Sequence, residues 1–582
     1  GIDIQPIAVE IAKLRFFLSL IVDERVDKEK RNYGIEPLPN LQFKFVCANT
    51  LISPPEEEGQ PQIFEDKPFQ EKLRELIKKY FSAKDPSQKE KVENSIKKLI
   101  DAFVGEKTEQ IMSHINDAKK RGKKKRSDKI DKLYKEIDIW DSYKNIFKDE
   151  KVKFFDIKYF FPEVKKGFDI VIGNPPYVKS RSDLFPKNMK DKLQKDIENI
   201  WEEDSKYITR GSDLYIYFFV KSLDLIDEKG TITLITQNSW LDTKYGIKFQ
   251  NFLLKNAEVY KIIDSNEKHF NSSGGPNINT IITIYSSQKY SDGISFLRQT
   301  GNDFVLLNKI DNKNKKLKNY KWGLFLYSNK DIIDLINILD NNGKYIKEME
   351  DIKVGQGLNI TKNYGVPKEI IRKLGLNKDQ YFPYLTKDDP TYVLERTNKY
   401  LVDLKKVNRV KKDNLEENGY KPYDFNKTTK LPPKLILPRG LGRHFCMFNE
   451  IKAYTSSYVE FYGHNKEILL NIWLFLNSTP AWLLREIYGR KSMGGGMLKA
   501  EAYDMNFFPI FLNLKQPERI EKLKNKYGDK LVNKTLLEIK SEFHKEVDKI
   551  IYDFLDVNYD TRKRLKDRFI EIVKMRHEKA NT

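Results

Sequence analysis

The sequence predicts an α/β protein of more than one domain. A run of Val and Ile over 168–173 has the composition of a buried strand, and similar runs cover 231–236, 259–264 and 278–285. Segments with helical spacing of apolar residues separate these runs. Because a chain of 582 residues is too long for one core, we expect two or three domains.

Composition limits the partners and the compartment. The net charge is +21, with 32% charged and 39% hydrophobic residues, which predicts a polyanionic partner; the alternative is a generally basic composition. No run of 18 apolar residues occurs, so we expect no membrane span. Gly1–Ile4 does not resemble a signal peptide, and the two distant cysteines, Cys47 and Cys446, indicate a cytoplasmic protein. The six histidines are scattered, so no metal site is expected.

The loop after the strand at 168–173 has the composition of a ligand site. Gly173 ends the strand, and Asn174-Pro175-Pro176-Tyr177 follows at its carboxyl end, where open α/β sheets bind ligands. The two prolines make the loop stiff and leave carbonyl acceptors with few donors beside them. The oxygens of Asn174 and Pro175 can accept from one amine, and Tyr177 offers a face for a planar ring. The alternative is an ordinary Pro-Pro turn after a strand.

The run Gly-Phe-Asp-Ile-Val-Ile-Gly-Asn-Pro-Pro-Tyr-Val over 167–178 resembles the catalytic motif of S-adenosylmethionine-dependent N6-adenine DNA methyltransferases. It is most similar to the type IIG restriction–modification enzymes. The resemblance implies a Rossmann-like methyltransferase sheet, S-adenosyl-L-methionine as cofactor, and double-stranded DNA from which the target adenine is flipped out. It also implies that Asn174 and the Pro175 carbonyl grip the adenine amine, while Tyr177 and Phe270 hold the ring.

Two further motifs point to cofactor contacts. Residues 1–6 predict the end of a strand, followed by an apolar helix from Ile7 to Val22. An acid at such a strand tip commonly binds ribose hydroxyls, the alternative for Asp3 being a helix N-cap. The run over 1–15 resembles the second motif of the family, which implies that Asp3 binds the ribose and Ile4 lies against the cofactor adenine.

Residues 41–52 predict the next strand and the loop after it. Its run Ala-Asn-Thr-Leu over 48–51 resembles the third motif of the family, which implies that Asn49 contacts the adenine amine of the cofactor. Pro176 is expected against the cofactor. The family carries a Gly-rich methionine-binding loop on the strand before Asp3, and the sequence has no counterpart. We therefore expect a fragment that begins inside the catalytic domain, with any nuclease domain ahead of it.

The remaining segments predict the domain layout. We expect a methyltransferase catalytic domain over 1–325 with a helical insertion at 54–165, a mixed α+β target-recognition domain over 326–512, and a helical segment over 513–582. A polar loop at 179–212 is predicted to cover the substrate. The basic run at 119–126 either contacts DNA phosphates or is a solvated loop.

Basic residues in the predicted target-recognition domain are candidates for DNA contacts. The stretches 434–443, 476–478 and 489–497 resemble the recognition domains of type IIG enzymes. Base or phosphate contacts are expected from their basic side chains, namely Arg439, Arg443, Arg490 and Lys491.

The sequence thus predicts a site-specific DNA methyltransferase that transfers a methyl group to adenine N6. Two alternatives stay open. Asn-Pro-Pro-Tyr loops also serve methyltransferases that act on RNA bases or glutamine side chains, and the chain can also be a DNA-recognition module without catalysis. The recognition sequence and the oligomeric state are not predicted.

Overall fold

The computed structural model describes most of the chain. The described residues are 1–22, 27–29, 41–55, 66–83, 86–120, 127–148, 150–265, 278–288, 292–385, 390–428, 430–493 and 497–581. No described helix is both long and apolar enough to cross a membrane.

The residues form two compact units. The first unit consists of Gly1–Leu234, Asn256–Glu258 and Ile284–Tyr290, and the second of Ile235–Lys255, Val259–Thr283 and Ser291–Thr582. Compact units do not by themselves define functional domains, so the predicted boundaries of the functional domains stay a prediction.

The first unit combines strands with helices. They are β1 (Ile2–Asp3), α1 (Pro6–Val22), β2 (Val46–Cys47), α2 (Lys67–Ser82), α3 (Pro86–Lys120), α4 (Ser127–Asp141), α5 (Ile157–Phe160), β3 (Phe168–Gly173), α6 (Lys187–Trp201) and α7 (Leu214–Leu225), followed by β4 (Ile226–Gln237). Helices α2 to α5 follow one another between β2 and β3.

The strands that carry the predicted motifs are parallel. β1 pairs with β2, and β3 pairs with β4 in the register Gly173↔Leu234. Parallel strands present their carboxyl ends at one edge, so Asp3 and the loop after Gly173 both follow such ends. Behind β3, α7 is apolar on nearly every side, and Tyr285 donates a hydrogen bond to the Phe219 carbonyl at 3.0 Å. This packing holds β3 and its loop.

The insertion predicted at 54–165 is helical. The apolar faces of α2 and α3 are buried, with Phe69 stacked on Phe103 at a centroid distance of 4.0 Å. Asp66 is also buried there, where Lys107 Nζ lies 2.9 Å from its carboxylate. The ion pair offsets the cost of burying that charge.

The second unit combines helices with several small sheets. Its elements are α8 (Lys244–Asn256), β5 (Glu258–Ser265), β6 (Thr280–Ser286), β7 (Gly293–Thr300), β8 (Asp303–Asp311), α9 (Lys315–Asn319), α10 (Leu324–Tyr327), α11 (Lys330–Asn342), β9 (Gly343–Lys344), β10 (Lys353–Gln356), β11 (Val366–Pro367), α12 (Lys368–Lys373), β12 (Tyr381–Leu385), β13 (Val393–Leu394), β14 (Lys399–Val402), α13 (Arg409–Glu417), β15 (Leu435–Pro438), β16 (Gly440–Leu441), β17 (Met447–Asn449), β18 (Tyr454–Thr455), β19 (Tyr458–Tyr462), α14 (Lys466–Leu476), α15 (Thr479–Tyr488), β20 (Arg490–Met493), β21 (Met497–Lys499), β22 (Phe511–Leu512), α16 (Pro517–Tyr527), α17 (Thr535–Glu538), α18 (Glu542–Phe554) and α19 (Tyr559–Asn581).

Mixed pairing marks the larger sheets. The largest has the strand order β3-β4-β6-β5-β7-β8, in which β5 pairs parallel with β7 and β7 antiparallel with β8. A second sheet has the order β10-β19-β15-β17-β13, and a third β11-β14-β12-β18. The structure is therefore a mixed α/β protein, as predicted at the level of fold class.

Three predicted segments differ in detail. Residues 41–52, predicted as a strand and its loop, contain a 3₁₀ turn at Leu41–Phe43 and only the short strand β2. The polar loop predicted at 179–212 contains helix α6, whose Leu193 and Ile197 are buried. The apolar run that follows Asp213 predicts a helix ending near Lys229-Gly230, but α7 ends at Leu225 and β4 begins at the next residue.

A buried ionic network in the second unit links α15 to α19. His444 Nε2 and Arg576 NH2 lie 2.9 and 2.8 Å from the same carboxylate oxygen of Glu486. Burial lowers the pKa of His444 to about 4. Burial alone would raise the pKa of Glu486, but the hydrogen bond with His444 and the charge of Arg576 bring it to about 2.

We expect this network to make the protein acid-sensitive. Both folded pKa values lie below the unfolded ones, so the unfolded chain binds more protons in acid and stability falls with pH. The His444 contribution, about 3 kcal/mol, is present above pH 6.5 and lost towards pH 4; the Glu486 contribution is lost below pH 4.5. Urea unfolding between pH 7 and 4 measures this. His444→Gln should flatten the profile between 6.5 and 4, and an unchanged slope would contradict the assignment.

Candidate functional site

One cavity of the first unit collects most of the predicted site residues. Its volume is about 650 Å³. Six of the predicted residues line it: Asp3, Ile4, Asn49, Asn174, Pro175 and Pro176. The structure thus brings together residues that are up to 173 positions apart in the sequence, and their individual roles stay predictions.

The Asn-Pro-Pro-Tyr loop is short and held at both ends. Asn174 and Pro176 are exposed, whereas Pro175 is buried. The Tyr177 hydroxyl donates a hydrogen bond to Asn174 Oδ1 at 2.8 Å, and burial raises the pKa of Tyr177 to about 12. Asn174 Oδ1, which is predicted to accept from the adenine amine, therefore already accepts one hydrogen bond from Tyr177. A carbonyl oxygen has a second lone pair, so it can still accept from a ligand.

The two polar residues predicted to bind the cofactor follow β1 and β2. Asp3 is exposed at the tip of β1, and its Oδ1 accepts from the Gln5 N–H at 2.8 Å. Asn49 is half-buried, and its Oδ1 accepts from the Leu51 N–H at 3.3 Å. Each side chain thus orders its own turn and still lines the cavity.

Phe270, predicted to hold the target ring opposite Tyr177, lies outside the described residues. Among the residues that the structure describes, no group of three or more His, Cys, Asp or Glu side chains could hold a metal ion.

Several cavity residues were not predicted. Met189 from α6 and Phe218 from α7 line the cavity, as do Phe161 and Glu163 before β3. The apolar spacing in these segments does not tell which side chain faces a ligand. Helix α6 is not predicted because the run 179–212 is polar overall, although Met189, Leu193 and Ile197 have helical spacing.

One side of the cavity carries exposed apolar groups. Ile170 and Ile172 on β3 line the cavity and are 66% and 79% exposed. β3 is the terminal strand of its sheet among the described residues. Helix α1 is likewise apolar and exposed at Ile7, Leu14 and Leu18. Contiguous exposed apolar groups of this kind often mark ligand grooves or interaction surfaces.

A small sheet of the second unit gathers basic residues. In the order β16-β21-β20, Lys499 lies opposite both Gly440 and Arg490. Arg439 precedes β16, and its guanidinium makes two contacts with Glu501, at 2.7 and 2.9 Å. Lys499 Nζ lies 2.9 Å from the same carboxylate. Of the other two predicted DNA contacts, Arg443 is half-buried and Lys491 lies in β20.

A family model matches the amino-terminal part of the chain. Residues 1–270 match the family described as Eco57I restriction-modification methylase. This match confirms the resemblance to restriction–modification methyltransferases found in the sequence.

Curated relatives match over limited stretches. The type II methyltransferase M.BstVI of Geobacillus stearothermophilus is 30% identical over 166 residues, which are 26% of this chain and 27% of that protein. The putative type II restriction enzyme and methyltransferase RM.MjaORFECS2P of Methanocaldococcus jannaschii is 25% identical over 299 residues, 43% of this chain and 22% of that protein. The chain thus spans about a quarter of the length of these relatives.

Among solved structures, the type IIL restriction-modification enzyme MmeI in complex with DNA matches with a TM-score of 0.43 and 12% identity, covering 70% of this chain and 57% of MmeI. The type IIG restriction endonuclease BpuSI matches with a TM-score of 0.34 and 14% identity, covering 77% of this chain and 59% of BpuSI.

Proposed function

We propose that the protein is the modification and recognition part of a type IIG restriction–modification enzyme. In this proposal it transfers a methyl group from S-adenosylmethionine to N6 of an adenine flipped out of double-stranded DNA. The observation that carries the proposal is that Asn174 and Pro176 share one cavity with Asp3 and Asn49. An acceptor for an amine and an acid for a ribose thereby lie at a single site.

The donor set fits an adenosine-bearing cofactor. Asp3 at the end of a parallel strand suits ribose hydroxyls, Asn49 suits an adenine amine, and Ile4 and Pro176 supply apolar contact for the ring. S-adenosylmethionine, when bound, supplies a methyl group on a positively charged sulfur. The proposed cavity residues orient it and exclude water from one face.

The loop residues act on the target base. An exocyclic adenine amine is a weak nucleophile because its lone pair is delocalised into the ring. Asn174 Oδ1 and the Pro175 carbonyl accept its two hydrogens, which favours a pyramidal nitrogen and stabilises the positive charge that grows there. Tyr177 and Phe270 hold the ring. The amine proton becomes acidic as nitrogen acquires charge, so no strong general base is required.

The methionine half of the cofactor is proposed to bind on the side of the cavity where Ile170 and Ile172 are exposed.

A product assay tests the proposal. The protein is incubated with unmethylated duplex DNA and labelled S-adenosylmethionine, and the DNA is digested to nucleosides. N6-methyladenine is expected. Label on cytosine, on RNA or on protein glutamine in matched reactions would overturn the substrate assignment.

A second candidate function is DNA recognition without catalysis by the 582-residue chain alone. The observation that favours it is the exposure of Ile170 and Ile172 beside the predicted cofactor cavity. DNA binding without measurable S-adenosylmethionine binding would support this second function.

The basic sheet of the second unit is proposed to contact DNA. We expect the double variant Arg490→Ala/Lys499→Ala to bind duplex DNA more weakly and with a salt dependence shallower by about 0.9 per lost phosphate contact. Anisotropy titrations between about 50 and 200 mM salt measure the slope. Lys522→Ala, on an exposed face of α16, is the matched control. Equal slopes for the double variant and the wild type would place the DNA contacts elsewhere.

A further inference from the structure

The loop Asn174–Tyr177 is fixed at its start by the sheet. Gly173 is paired with Leu234 in the parallel ladder between β3 and β4. Only four residues then separate this ladder from Val178, and two of them are prolines. A second anchor just after Tyr177 would leave the loop few conformations, because each proline also fixes its own φ.

Such an anchor exists at the start of α7. Asp213 Oδ1 accepts a hydrogen bond from the Ser180 N–H at 2.8 Å, and the Leu214 N–H donates to the Val178 carbonyl at 3.0 Å. Residues 178–180 therefore run alongside 213–214. Helix α7 is itself held firmly, since nine of its twelve residues are buried.

Asp213 occupies the N-cap position of α7 but does not act as a cap. An aspartate there usually accepts from a backbone N–H in the first turn of its own helix. The Asp213 side chain makes no such bond, and its carboxylate, in a residue that is only 8% exposed, accepts from a residue 33 positions earlier. The hydrogen bond is thus used to hold the loop rather than to begin the helix.

We infer that Asp213 is a positioning residue that fixes the Asn174–Tyr177 loop through the Ser180 N–H. The catalytic consequence rests on the proposed function. A loop that grips an amine works only when its acceptors are in place before the base arrives, and a displacement of about 1 Å can cost about 10²-fold in rate. Asp213 supplies this preorganisation without touching the substrate.

Three variants distinguish positioning of the loop by Asp213 from a direct effect of its charge or of the Ser180 side chain. In Asp213→Ala the anchor is lost, and kcat for methyl transfer is expected to fall by about 10- to 100-fold with KM for cofactor and DNA changed by less than about threefold. Asp213→Asn keeps an amide oxygen for the Ser180 N–H and should retain kcat within about threefold. Ser180→Ala removes only the side chain and should match the wild type.

A structural readout makes the test independent of catalysis. Hydrogen exchange of the Ser180 amide should become at least about tenfold faster in Asp213→Ala and stay slow in Asp213→Asn. The control is Asp156→Ala, which removes a carboxylate that does cap its own helix, through the Lys158 N–H at 2.8 Å. That variant should speed exchange at 157–160 and leave Ser180 unchanged.

Two results would overturn the inference. One is unchanged exchange at Ser180 in Asp213→Ala. The other is an Asp213→Asn variant as slow in methyl transfer as Asp213→Ala, which would mean that the negative charge acts directly. If the wild type makes no N6-methyladenine, the proposed function fails, and the exchange data alone then decide whether Asp213 anchors the loop.

Discussion

Asn174→Ala is expected to reduce kcat for adenine methylation by about 10²- to 10³-fold, with cofactor binding nearly unchanged. Removing one preorganised group that stabilises transition-state charge typically costs this much. Asn174 lines the cavity and its side chain is exposed, so its truncation should not affect folding. Single-turnover rates with labelled S-adenosylmethionine, together with equilibrium binding of the cofactor, measure the two quantities.

Tyr177→Phe is the matched control for this experiment. It keeps the aromatic face and removes the hydroxyl that donates to Asn174 Oδ1 at 2.8 Å. The rate should stay within about tenfold of the wild type, because an isolated hydrogen bond contributes about 1 kcal/mol. Equal activity of Asn174→Ala and the wild type would show that the amine is gripped elsewhere.

The largest expected effect on stability comes from Lys321 in the second unit. Its ammonium lies 2.6 Å from Asp504 Oδ1 and 2.7 Å from the Tyr488 carbonyl, and both charged side chains are fully buried. Lys321→Met leaves the Asp504 carboxylate buried without a counter-ion. We expect a loss of about 3–5 kcal/mol in the free energy of unfolding, measured by urea denaturation.

The loss of stability in Lys321→Met should be partly reversed by adding Asp504→Asn. Asp504 Oδ2 also accepts from the Glu501 N–H at 2.7 Å, so Asp504→Asn removes the charge and keeps an acceptor. Lys321→Met/Asp504→Asn should therefore be more stable than Lys321→Met alone. Lys318→Met, at an exposed position nearby, should cost less than about 0.5 kcal/mol. A double variant as unstable as the single one would argue against an uncompensated charge.

Lys321 is also connected to the basic sheet that is proposed to contact DNA. Its contact with Asp504 supports the turn that carries Glu501, which pairs with Arg439 and Lys499. If the sheet binds DNA as proposed, Lys321→Met should weaken DNA binding as well as stability.

The sequence predicts elements best where periodicity and burial agree. Phe69, Leu73, Ile77 and Tyr80 have helical spacing in the sequence, and all four are buried in α2. Phe543 and Val547 belong to a similar apolar stripe and are buried in α18. In both cases the apolar spacing alone determines which side of a helix meets the core.

Prediction is weaker where tertiary contacts override local composition. Lys229-Gly230 has the composition of a helix end, yet it lies within β4, at the register shift between Ile226 and Thr231, which both pair with β3. The polar composition of 179–212 predicts a loop, yet Leu193 and Ile197 within it form the buried face of helix α6. Local propensity is a weak guide in such segments.

The candidate site likewise contains residues that short motifs predict and one residue, Asp213, that only the tertiary structure reveals. The motif at 167–178 locates Asn174 and Pro176, and strand ends locate Asp3 and Asn49, because these assignments depend on short runs of sequence. Asp213 is not predictable in this way. Its bond to the Ser180 N–H joins residues 33 positions apart, and an aspartate before a helix is ordinarily a cap.

The exposed isoleucines of β3 also bear on how the 582-residue chain behaves during purification. A terminal strand with apolar side chains is a template for pairing with another chain, and α1 carries further exposed apolar residues. We therefore expect concentration-dependent self-association of the protein, measured in sedimentation experiments. The strand that lines the candidate cavity would then also set the concentration above which the protein aggregates.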